Sequence, residues 1–121
     1  WRGPVWMPVN YLFINAFKTF GSFYEDDLKI ECPTGSGKYL TLTEVSKEIT
    51  SRLLHIFEKN DQNERVTYGS YNWFYKKEEN KDILLFHEYF HGDTLCGLGA
   101  SHQTGWTGLI ANLILDLKEQ K

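Results

Sequence analysis

Residues 84–108 read LLFHEYFHGDTLCGLGASHQTGWTG and set one glutamate, Glu88, among aromatic rings, histidines and glycines. Two chemistries fit that setting. Glycosidases work with a pair of carboxyl groups, one protonating the leaving oxygen and one acting on water or on the anomeric carbon. Glu88 beside Tyr89 and Phe90 suits such a pair, because ring faces stack against sugars. The second chemistry is zinc hydrolysis, since His87-Glu88-Tyr89-Phe90-His91 spells H-E-x-x-H. On a helix that spacing puts both imidazoles on one face, with the glutamate as general base.

The zinc reading needs a third ligand. The extended motif would place Gly and His three and six residues past His91, where Thr94 and Gly97 stand. His102 or Asp93 would have to arrive by loop folding, and Gly92 would end a helix at its second ligand. The glycines at 92, 97, 99 and 105 let backbone approach a ligand closely. A plain structural reading, Glu88 as an ordinary hydrogen-bonded glutamate, stands beside both chemistries. A third motif fails outright. Cys32-Pro33-Thr34-Gly35-Ser36-Gly37-Lys38 hints at a phosphate loop, but Cys32 replaces its first Gly and Tyr39 its Ser or Thr. A turn is expected there.

The elements that must position these residues are helical. Pro4 and Pro8 suit a helix entry, and Leu12, Phe13, Ala16, Phe17 and Phe20 recur at helical spacing, predicting a helix over 9–20 closed by Gly21. Residues 21–40 form a long connection. Thr41 and Glu44 make a capping box that opens a helix over 42–59, with Leu42, Val45, Ile49, Leu53, Ile56 and Phe57 inward and Lys47, Glu48 and Arg52 outward. Residues 60–82 read as an irregular loop or short hairpin around the aromatic run Tyr68–Tyr75. A last helix over 106–120 carries Trp106, Leu109, Ile110, Leu113, Ile114 and Leu117 on one face. Long connections of this kind are uncommon unless functional.

Composition narrows the class. A chain of 121 residues is one domain's worth, and it is long enough for a core. Net charge is −3 with 13 scattered Lys and Arg, which excludes the basic stripe of a nucleic-acid surface. The uncharged run from Gly3 to Phe17 is shorter than the ~20 residues of a membrane helix. Cys32 and Cys96 either pair or stay free, and their spacing does not decide the compartment. Aromatic residues make up 16% of the chain, fitting either a core or a ring-lined pocket. The apolar opening WRGPVWMPVNYLFINAF reads as part of a longer protein.

The strings WRGPVWMPVNY at 1–11, ECPTGSGKYLTLTEV at 31–45, and FHEYFHGD with GLGASHQTGWTGL across 86–109 resemble glycoside hydrolase family 63. The resemblance runs in order over essentially the whole chain. It implies an all-α fold, a partial (α/α)6 barrel with long aromatic and Gly-rich loops, and residues 1–121 as a C-terminal fragment of that catalytic domain. It implies an inverting α-glucosidase that removes terminal α-linked glucose from an oligosaccharide without cofactor or metal. Glu88 falls where the family places its general base. Trp1, Arg2, Gly3, Trp6, Asn10, Tyr89 and Trp106 match segments lining the sugar pocket. The general acid, an aspartate, is expected upstream of Trp1 with the remainder of the barrel, leaving the fragment alone inactive. A non-catalytic sugar-binding relative is the alternative. The glycan, and whether the enzyme works in the endoplasmic reticulum lumen or the cytoplasm, stay open.

Overall fold

The computed structural model describes residues 2–119, with side chains through Lys118. Helix α1 runs Met7–Tyr24, with Pro8 in its first turn, where a missing N–H is harmless. It is longer than its sequence pattern suggests, because Gly21 does not end it. Gly21 is buried inside the helix, and a Cβ there would collide with Thr43 Oγ1 and lie 2.9 Å from the Thr43 nitrogen. The glycine therefore serves close approach to the next helix. The chain leaves α1 at Glu25, at φ 44°, after which a 3₁₀ turn spans Glu25–Asp27.

The connection after α1 contains an antiparallel ribbon of β1 (Lys29–Glu31) and β2 (Tyr39–Thr41), with Ile30 opposite Leu40. Three-residue strands are too short for alternation to reveal them. Their turn is the rejected phosphate loop: the Cys32 N–H donates to the Lys38 carbonyl, and Glu31 Oε1 accepts the Gly37 N–H at 2.7 Å. Backbone hydrogen bonds from Gly35 and Gly37 hold the Glu31 carboxyl below its usual range.

Helix α2 spans Leu42–His55 and opens with the expected capping box, Thr41 and Glu44 each serving the other's backbone N–H. Leu42, Val45, Leu53 and Ile56 are buried along one side. The helix is one turn shorter than expected. Residues 60–82 form no hairpin: a 3₁₀ segment Val66–Tyr71 leads into the short helix α3 (Asn72–Tyr75), and Tyr68 stacks on Tyr75 with ring centroids 4.0 Å apart. The expected last helix is two, α4 (Thr104–Thr107) and α5 (Ile110–Glu119), broken by a turn at Gly108–Leu109. Gly is a poor helix former, which makes it a natural break point.

Helices α1, α2 and α5 converge on a core of Met7, Ile14, Leu53, Ile56, Phe90, Ile110 and Leu113. Lys18 on α1 and Asp116 on α5 add a partly buried ion pair at 2.5 Å. A second ribbon, β3 (Tyr89–Phe90) with β4 (Gly97–Leu98), lies over this core and is anchored in it by the fully buried Phe90. The fold is thus mostly helical, as expected, but not all-α: it carries two short ribbons that no sequence pattern announces. Among the described residues no helix is long and apolar enough to cross a membrane.

Candidate functional site

The run from Phe86 to His91 is held in place from several directions by backbone hydrogen bonds. Val5 and Phe90 exchange N–H and C=O bonds at 2.8 and 3.0 Å, tying the N-terminal segment alongside β3. The Glu88 N–H donates to the Ala100 carbonyl at 2.9 Å, and the His91 N–H donates to the Cys96 carbonyl at 2.8 Å. The Gln103 N–H donates to the Phe86 carbonyl at 2.7 Å, and the buried Thr107 hydroxyl donates to the His87 carbonyl. Such pairing leaves Glu88 little freedom to move. It also fixes where Trp6, one residue past Val5, and Trp106, one residue before Thr107, must stand.

Three of the residues singled out from the sequence come together as a result. The Trp6 and Tyr89 rings lie 4.5 Å apart, tilted by 34°, and the Trp106 ring meets Trp6 edge-on at 5.7 Å. Each such aromatic contact adds about 0.5–1.5 kcal/mol beyond burial. Trp106 stays 38% exposed, so the cluster is a wall rather than core. The Glu88 carboxylate stands beside it: Oε2 accepts the Ala100 N–H at 3.1 Å. The same oxygen and the Tyr89 ring edge both reach Gly99.

The remaining candidates are spread around this wall. Arg2 and Asn10 line a cavity of about 420 Å³ together with Pro4, Trp6 and Val9. The Asn10 side chain turns back, Nδ2 donating to the Trp6 carbonyl at 2.8 Å. Gly3 is exposed, and its carbonyl lies where a Cβ on Gly92 would sit, so the pair makes a backbone contact. Trp1 lies outside the described residues. A cavity of about 610 Å³ between α2 and the segment around Val5 and Asn10 is not lined by Glu88, Tyr89 or Trp106.

The zinc reading is corrected by the backbone. H-E-x-x-H presents both imidazoles together only on a helix, and here His87 and Glu88 lie outside any helix while Tyr89–Phe90 is a strand. His91 Nδ1 accepts the N–H groups of Asp93 and Thr94 at 3.2 and 3.3 Å, capping its own turn. The His87 ring packs over Gly97, and its Nδ1 is buried without a hydrogen-bond partner. Burial, and then the nearby His102, pushes the His87 pKa down. Among the described residues no group of three His, Cys, Asp or Glu side chains is placed to hold a metal ion. Cys32 and Cys96 are both free thiols.

Sequence reasoning does not single out Ala100, which holds Glu88, or Thr107, which holds the neighbouring His87 carbonyl. Both act through hydrogen bonds whose partners are 12 and 20 residues away. No local pattern announces them.

The chain is similar to two proteins of Saccharomyces cerevisiae. One, described as uncharacterized, is 45% identical over 119 residues, covering 97% of this chain. The other, a mannosyl-oligosaccharide glucosidase, is 25% identical over 114 residues, covering 94% of this chain. The chain spans only 11% of the length of either relative. No family model and no solved structure matches it. The link to a glucosidase is thus distant, and it extends over nearly the whole chain.

Proposed function

We propose that this chain is the C-terminal part of the catalytic domain of an inverting α-glucosidase of the family 63 type, with Glu88 as its general base. The observation that carries this reading is the fixed carboxylate of Glu88 beside the Trp6–Tyr89–Trp106 wall. Rings of that kind offer faces to a sugar, and a carboxylate beside them is the group that activates water in an inverting glycosidase. The distant similarity to a glucosidase supports the same reading. Arg2 and Asn10 line the cavity that Trp6 also borders, and Gly3 lies in the same segment.

In this mechanism Glu88 takes a proton from a water molecule lying beneath the anomeric carbon. The water oxygen forms a bond to that carbon on the face opposite the leaving oxygen. The glycosidic C–O bond breaks, and an aspartic acid upstream of Trp1 protonates the departing oxygen. Inverting enzymes hold the two carboxyl groups about 6.5–9.5 Å apart to admit the water. The upstream polypeptide supplies both that acid and the remaining helices of an (α/α)6 barrel.

The test is Glu88→Gln in the full-length polypeptide, assayed on α-linked gluco-oligosaccharides with the anomer of the released sugar followed by NMR. Turnover is expected to fall by about 10²–10⁴-fold with substrate binding kept and the product inverted. Wild-type turnover in that variant removes Glu88 from the mechanism. Sugar binding without turnover in the wild-type protein would instead establish a non-catalytic relative.

A further inference from the structure

We infer that Gly99 and the Ala100 N–H are the positioning device for the Glu88 carboxylate, with Gly99 required for the absence of a side chain rather than for approach to substrate. This rests on the reading of Glu88 as base. Gly99 adopts φ +70°, a conformation side chains disfavour. A Cβ at that position would lie 2.6 Å from Glu88 Oε2, 2.7 Å from Tyr89 Cε1 and 2.9 Å from Glu88 Cβ. All three distances are shorter than carbon contacts allow. The same residue thus excludes a methyl group from both the carboxylate and the ring next to it.

The next residue completes the hold. Ala100 grips Glu88 twice: its carbonyl accepts the Glu88 backbone N–H at 2.9 Å, and its own N–H donates to Oε2 at 3.1 Å. The first bond fixes the backbone of Glu88 and the second the rotation of its carboxylate. Positive φ at Gly99 is what turns the Ala100 N–H back toward the side chain after β4. Neighbouring Gly97 serves another protein group in the same way, giving its space to the His87 ring. The glycines of this hairpin therefore accommodate the protein's own His87, Glu88 and Tyr89.

A methyl group at position 99 must displace the carboxylate or the Tyr89 ring, and misplacement of a reacting group by about 1 Å costs up to about 10²-fold in rate. The experiment is Gly99→Ala in the full-length polypeptide, alone and combined with Glu88→Gln. Gly35→Ala serves as control, because Gly35 also has positive φ, at +80°, but open space around its missing Cβ. Gly99→Ala is expected to lower kcat by about tenfold or more with KM little changed, while Gly35→Ala leaves kcat as it was. In the Glu88→Gln background Gly99→Ala should cause no further loss.

An equal loss in both backgrounds would overturn the inference, since it would mean damage that does not pass through the carboxylate. Unchanged kcat in Gly99→Ala overturns it too. If Glu88→Gln itself keeps wild-type turnover, the failure lies with the base assignment instead. Should Gly99→Ala not fold, replacing the amide at position 100 by an ester removes the donor without adding an atom. That variant is expected to lose about tenfold in kcat, and no loss would refute the inference.

Discussion

At the scale of single residues, His87 is the most constrained polar group next to the candidate base. Its ring lies over Gly97, its Nδ1 is buried without a partner, and burial and His102 both disfavour its charged form. The consequence for stability has a definite sign. The unfolded chain binds the proton at the ordinary value of 6.5, and the folded chain only at lower pH. Folding stability contributed by neutral His87 is therefore complete above that value and is lost as pH falls from it toward the lower folded pKa. Denaturant melts of the wild type and His87→Gln between pH 7.5 and 5 check this. The wild type should lose more stability on acidification than the variant, and the reverse slope would mean that the folded state favours the imidazolium.

At the scale of elements, the crossing of α1 and α2 depends on Gly21. Helix propensity alone favours Ala over Gly inside a helix by about 0.5–1 kcal/mol. Here the methyl would collide with Thr43, whose backbone is fixed by the start of α2, so overpacking of about 1–3 kcal/mol opposes that gain. Gly21→Ala is expected to lower the stability of the full-length protein without touching the catalytic assay. A rise in melting temperature would show that the helices shift apart at little cost. The capping box Thr41–Glu44 sits at the same junction, so β2, α2 and the close approach of α1 are specified within a few residues of one another.

At the scale of the whole molecule, the outer side of α1 is the open question that the barrel proposal answers. Leu12, Phe13 and Phe23 are 69%, 56% and 78% exposed, with Val9 and Phe20 on the same helix also in solvent. Residues at that spacing form one stripe, and a stripe of large apolar side chains usually meets a partner. In the proposal, helices from the upstream polypeptide cover it. Phe13→Asp in the full-length protein should then destabilise by about 1.5–3 kcal/mol, whereas exposed substitutions stay within about 0.5 kcal/mol. A melting curve unchanged by Phe13→Asp would leave the face in water and count against the barrel.

Local periodicity and local hydrogen bonds are legible in the residues alone. The spacing of Leu42, Val45, Leu53 and Ile56 defined the buried side of α2, the Thr41–Glu44 pair its start, and Cys32–Lys38 a turn in place of a phosphate loop. The aromatic and acidic character of residues 86–90 marked the candidate site, but not its geometry. Only tertiary structure decided that His87 and His91 do not share a helix face, because the pairing of Val5 with Phe90 and of Ala100 with Glu88 draws that run out of helical form. It likewise decided that Gly21 continues a helix and that Gly99 shelters a carboxylate. A glycine reads the same in sequence whether it ends a helix, bends a turn or yields its space to a neighbour; only the distant atom that would meet its Cβ separates those roles.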